Sequence, residues 1–173
     1  MTPEALRKLQ APLKARYKED ARTALFTLHA RGRVVQESLT CVLESGKPGT
    51  PAGLHPATGG DGSAACSGDM LLEALVSCAG VTLAAVATGM GITLTAAFVE
   101  ARGDLDFRGT LGVAQEAPVG FANLTLLFQL ESAAPLEKVQ KLVELTERYC
   151  VVLQTLLKPP RVEVTLVSPS GAS

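Results

Sequence analysis

Four cysteines, Cys41, Cys66, Cys78 and Cys150, are the side chains of this sequence best suited to covalent chemistry. A thiolate is a nucleophile, and two thiols close together cycle between dithiol and disulfide. Cys78 lies in the run Leu75-Val76-Ser77-Cys78-Ala79-Gly80-Val81, in the middle of an apolar helical stretch, where a free cysteine is most often a packing residue. Cys150 comes seven residues after Val143 on the inward stripe of a later helix, and taken alone it also reads as core. Both are expected to point from helices into one interior, and the spacing leaves open whether they meet. Cys41 shares a strand face with Leu39 and Leu43 and reads as core. Cys66 stands just before the apolar helix, whose N-terminus favours a thiolate, and is the spare nucleophile, although a loop cysteine without a role is the commoner case.

Asp69 and Glu73 are the only acids near the start of that otherwise uncharged helix, and their spacing of four puts them on one side. First-turn acids often do no more than complement the helix dipole. Glu73 stands deeper, where a carboxylate on an apolar helix calls for a hydrogen-bonding partner such as an Arg or a substrate. His55 belongs to a Gly-rich loop, and an imidazole suits acid–base work, though a lone loop histidine is more often solvated. The stretch Thr58-Gly59-Gly60-Asp61-Gly62-Ser63 lacks the Lys and Ser/Thr of a phosphate-binding loop, which argues against a nucleotide. With two His and no CxxC pair, no metal and no cofactor are expected.

The elements that must position these residues follow from periodicity. Thr2, Pro3 and the stripe Leu6, Leu9, Leu13, Tyr17 predict an N-terminal helix, broken or restarted at Pro12. Residues 24–29 and 34–43 read as strands joined by a tight connection at Arg31, Gly32 and Arg33. Residues 46–63 form a Pro/Gly-rich loop expected to border the site of Cys78. The apolar helix is expected to start at Ser67 or Asp69 and to stop at Gly89. Ile92, Leu94, Ala96 and Phe98 then alternate as one strand face, Leu124, Leu126, Phe128 and Leu130 as a second, and Val162, Val164 and Leu166 as a third. Pro135 opens an amphipathic helix with Leu136, Val139, Leu142, Val143 and Thr146 inward, and Pro159 and Pro160 end the helical stretch. This order predicts an α+β fold, helices packed on an antiparallel sheet.

The chain has 173 residues, enough for one core. Its 47% of hydrophobic and 19% of charged residues exclude a disordered chain, and a formal charge of −1 with 4% aromatics argues against nucleic acid. Residues 74–99 carry no charge and are long enough to span a bilayer, but three glycines and the switch to alternation near Ile92 favour a buried helix and a strand, with no membrane partner. The charged N-terminus lacks a secretory pattern, so a cytoplasmic protein with reduced thiols is expected. A helix apolar on nearly every face must be covered on more than one side, which predicts a homodimer.

Taken together, residues 69–78, the stretch Gly103-Asp104-Leu105-Asp106-Phe107-Arg108-Gly109, the strand 121–130 and Glu147-Arg148-Tyr149-Cys150 resemble the OsmC/Ohr family in order and spacing. The resemblance covers residues 23–167. It implies residues 1–20 as a helical extension and 21–173 as a single OsmC-like domain, a long buried central helix, and an intertwined homodimer with sites between subunits. It also implies a peroxiredoxin-like thiol peroxidase that reduces organic hydroperoxides with Cys78 and Cys150 and is reset by an external dithiol. Where the hydroperoxide-resistance branch has a glutamate ten residues before its first cysteine, this chain has Gly68, with Asp69 next. The catalytic arginine of that branch matches Arg31 or Arg33; Arg33, held by Asp69 or Glu73, is the expected charge beside Cys78. The alternative on the same fold is a non-catalytic protein that binds a small apolar ligand in the dimer crevice, with the cysteines as packing.

Overall fold

The computed structural model describes residues 2–19, 32–35, 40–43, 51–112 and 114–167. Helix α1 (Pro3–Glu19) leads to strands β1 (Gly32–Val35), β2 (Thr40–Leu43) and β3 (Ala52–Gly53), a 3-10 turn (Pro56–Thr58) and β4 (Ala65–Cys66). Helix α2 (Ser67–Met90), strand β5 (Ala96–Leu105), the short helix α3 (Phe107–Thr110), strand β6 (Phe121–Glu131), helix α4 (Leu136–Tyr149) and helix α5 (Val151–Leu157) complete it. The α+β class is as expected. β5 and β6 form a long antiparallel hairpin from Ala96↔Glu131 to Leu105↔Phe121, and the first four strands form a second sheet in chain order, with β3 and β4 parallel.

The core lies where α2 meets this hairpin and the last two helices. Leu75, Ala79, Leu83 and Ala87 recur every four residues, so they form one stripe of α2, and all four are buried. Leu83 and Ala87 pack with Ile92 and Leu142 of α4, over Val99, Phe128 and Leu130. Leu75 and Ala79 pack with Cys150, over Ala101, Leu126 and Phe128. Of the inward face read for β6, Leu126, Phe128 and Leu130 meet the core, whereas Leu124, near the start of the strand, is exposed. On α4, Leu142 and Thr146 are fully buried as their spacing requires, whereas Leu136 is exposed because it stands in the first turn, beyond the reach of α2.

Several local expectations are corrected. α1 runs as one helix through Pro12. Gly32 and Arg33 lie in β1, paired with Leu43 and Val42, so the hairpin falls inside residues 32–43; Arg31 and residues 24–29 lie outside the described residues. α2 starts at Ser67 as expected, but Cys66, not Ser67 or Asp69, occupies the N-cap position, and it makes no side-chain cap. The helix passes through Gly89 and ends at Gly91, whose φ of 67° is left-handed. Ile92 then folds back, its N–H bonding the Ala87 carbonyl at 2.9 Å, and buries its side chain on the helix end. That consumes the first member of the expected alternation, and β5 starts at Ala96 with the other parity: Val99 and Ala101 face the core and Phe98 faces out. Residues 162–166 pair with no strand among the described residues, and Val164 and Leu166 are 91% and 94% exposed. α2 is covered by the hairpin, α4 and α5 on one side and by α1 near its C-terminal end, and Val81 is 73% exposed among the described residues.

Candidate active site

Cys78 and Cys150 are brought together. Cys78 is half-buried on α2, one residue before Ala79 of the buried stripe, and packs against the fully buried Cys150. Contrary to the sequence expectation, Cys150 is not on a helical stripe. With φ −71° and ψ 107° it is the break between α4 and α5, closing the first helix and opening the second. Its own N–H still bonds Thr146 O, and the next amide in the ladder, that of Gln154, bonds Cys150 O, both at 2.9 Å. The turn between them releases the amides of Val151, Val152 and Leu153 from α4. The Gln154 side chain closes the other end of the gap, its Nε2 donating to Glu147 O at 2.9 Å.

These released amides meet the two sulfurs. Burial pushes the Cys78 thiol up, but the Val152 and Val151 amides and the Cys150 thiol all donate to it, and the outcome is a pKa below the ordinary thiol value. The single proton of the Thr82 hydroxyl goes to the Cys78 carbonyl at 2.7 Å, so the thiolate relies on the amides and on Cys150. Cys150 shifts the other way: burial raises it, the proton it shares with Cys78 holds it protonated, and the Leu153 and Val152 amides offset only part of this. The arrangement sets one thiol to ionise and the other to remain a thiol beside it, the division needed by a nucleophile and a resolving partner.

Asp69 and Glu73, expected around Cys78, do not stand beside it on α2. At 1.5 Å and about 100° per residue, Asp69 lies about 14 Å from Cys78 along α2 and on the opposite face, and Glu73 lies about 7 Å away and well round the helix. Both are exposed. The side chain of Arg33 lies outside the described residues, as does that of Cys41. Sequence reasoning sought a cation to ionise Cys78 and missed the α5 amides, because no Gly or Pro marks the break at Cys150. The described part of the loop, residues 51–63, packs at the N-terminal end of α2 around Cys66, not beside Cys78 of its own chain. One turn beyond Cys78, Thr82, Val86, Met90 and Tyr149 line an apolar cavity of about 510 Å³ closed by Leu6 and Gln10 of α1. Among the described residues no three His, Cys, Asp or Glu side chains group as metal ligands.

Fold and site together define an α+β protein with a dithiol seated between a central helix and a helix break. The OsmC-like protein family matches residues 60–165, and the chain belongs to that family. Its fold is similar to that of an OsmC-like protein from Mycoplasma pneumoniae, at 15% identity and a TM-score of 0.63 over 78% of this chain and 89% of that one. It is similar to an organic hydroperoxide resistance protein OsmC from Legionella pneumophila, at 16% identity and 0.57 over 78% and 91%, and to the organic hydroperoxide resistance protein OhrB of Bacillus subtilis, at 17% and 0.52 over 78% and 93%. Among curated protein sequences none matches this chain.

Proposed function

We propose that the protein is a thiol-dependent peroxidase that reduces organic hydroperoxides through Cys78 and Cys150. The observation that carries this reading is the contact between the two thiols, with the amides of Val151 and Val152 favouring the Cys78 thiolate. Two of the similar structures being organic hydroperoxide resistance proteins is consistent with it. The Cys78 thiolate attacks the terminal peroxide oxygen; an S–O bond forms, the O–O bond breaks, and the departing alkoxide takes a proton to leave as the alcohol. Cys150 then attacks the sulfenic acid, forming the disulfide and releasing water, and an external dithiol reduces the disulfide by exchange. The cavity beside Thr82 and Tyr149 suits the alkyl part of such a peroxide.

The same reading takes the working form as a cytoplasmic homodimer. The exposed Val81 of α2 and the exposed apolar residues Val162, Val164 and Leu166 support it, since no described residue covers them. In that dimer we assign Arg33, held by Asp69 or Glu73, to the crevice between copies, where its positive charge supplements the amides. The test is turnover of cumene hydroperoxide with a dithiol. Cys78→Ser should abolish it, and Cys150→Ser should allow one reaction per chain and then accumulate sulfenic or overoxidised Cys78. Peptide mapping after peroxide should recover a peptide joining Cys78 to Cys150. Turnover by Cys78→Ser, or absence of that linked peptide, removes the peroxidase reading.

A further inference from the structure

We propose that a second cavity, at the N-terminal end of α2, binds a small uncharged aromatic molecule carrying a carbonyl acceptor, with the Cys66 thiol in its wall. The cavity holds about 370 Å³, in the size range of small-molecule sites, and Leu54, Leu105, Phe107 and Phe121 make it mostly apolar, with His55 and Cys66 joined by the hydroxyl residues Thr58, Ser67 and Thr110 as its polar lining. It is separate from the dithiol: twelve residues of helix put Cys66 about 18 Å from Cys78 of the same chain.

His55 is not the solvated loop histidine that its sequence context suggests. Its ring stacks on Phe107, with centroids 4.7 Å apart and planes at 21°. Its carbonyl accepts hydrogen bonds from the amides of Thr58 and Gly60 and from the Thr58 hydroxyl, at 2.8, 3.1 and 2.9 Å. Gly60 is required for this fold of the loop, since a Cβ there would overlap the Leu54 carbonyl. Phe107 is held from its own side, because the Asp106 carboxylate accepts the Arg108 amide at 3.0 Å and starts α3. The cavity wall is thus built by two restrained turns from distant parts of the chain.

The chemistry of the lining selects the ligand. The Nδ1 atom of His55 accepts the Ala57 amide at 3.0 Å, so the neutral ring carries its proton on Nε2 and offers a donor, not an acceptor. That donor suits a carbonyl oxygen. Among the described residues no Lys or Arg lines the cavity and Asp69 is its charged neighbour, which disfavours anions. The faces and edges of Phe107 and Phe121 favour a flat ring over a branched alkyl group.

The test uses 7-methoxycoumarin, which is neutral, flat, bears a lactone carbonyl and is fluorescent. Its binding is followed by fluorescence titration, and its position by iodoacetamide alkylation mapped at each cysteine. At ten times its Kd, alkylation of Cys66 should slow about tenfold, because only the free fraction reacts, while Cys78 and Cys150 react at unchanged rates. Phe107→Ala should lose both binding and protection. Gly68→Leu provides a second variant: a Cβ at Gly68 already lies 3.5 Å from Cys66 Sγ and Phe121 Cζ, so a leucine fills the cavity while improving helix propensity. Unchanged Cys66 alkylation in the presence of the coumarin, or protection that survives Gly68→Leu, overturns the proposal. Neither readout depends on peroxide turnover.

Discussion

The Cys78 sulfur sits where two opposing effects meet. Burial penalises its charge, and the hydrogen bonds from Val152, Cys150 and Val151 reward it, with the second effect the stronger. Cys150 has the converse arrangement and is held above the ordinary thiol value. Only the thiolate reacts with an alkylating reagent, so a lowered pKa extends reactivity to lower pH and a raised one restricts it to higher pH. Alkylation by iodoacetamide, followed at each cysteine across a pH series, should therefore inflect at a lower pH for Cys78 than for Cys150. Replacing Cys150 by alanine removes a donor that the Cys78 thiolate uses, and the Cys78 inflection should move upward. An inflection that does not move would mean that the Cys150 proton is not shared with Cys78.

At the scale of elements, the break between α4 and α5 supplies the donors. A continuous helix would send the amides of Val151, Val152 and Leu153 to the carbonyls of residues 147–149 and leave none for sulfur. The break separates those partners, and Gln154 caps the Glu147 carbonyl left behind. Val151 is the first residue of α5, it is exposed, and Cys150 before it is extended, which is the setting in which proline is tolerated. Val151→Pro should accordingly keep the fold, with unfolding free energy changed by no more than about 1 kcal/mol. It deletes one amide donor to Cys78, so the Cys78 thiol should titrate at higher pH and react more slowly with peroxide at neutral pH. Denaturant unfolding and stopped-flow oxidation of the same variant separate the two effects. Loss of stability without loss of thiol reactivity would mean that the amide serves the helix and not the sulfur.

For the whole molecule, the exposed apolar residues of α2 and of residues 162–167 support the proposed homodimer. Sedimentation should give a dimer at low micromolar concentration; a folded, stable monomer there would remove the shared crevice from the functional reading. Leu166→Ala should weaken the dimer, since burying a leucine contributes about 1.5–3 kcal/mol and the loss of even part of it raises the dissociation constant roughly tenfold. The variant should leave the Cys78 and Cys150 contact intact, because residues 162–167 touch neither helix break nor core cluster.

The amino-acid sequence by itself determined a helix from Ser67 that carries Cys78, a helix opened by Pro135, and the inward Leu126, Phe128 and Leu130 of β6, because these rest on periodicities of two and 3.6 residues that any short window displays. The end of the later helix escaped it, because the stripe continues in number through Cys150. The parity of β5 escaped it, because Ile92 was spent on closing α2 at Gly91 before the strand began. So did the third strand, whose alternation at Val162, Val164 and Leu166 meets no partner among the described residues. The tertiary structure alone decided that Cys78 and Cys150, seventy-two positions apart in the numbering, pack together, and that amides of α5 sit at the sulfur. The physical reason is that the decisive turn is a single backbone dihedral at Cys150, between a tyrosine and a valine that would continue a helix, and it is set by packing against α2.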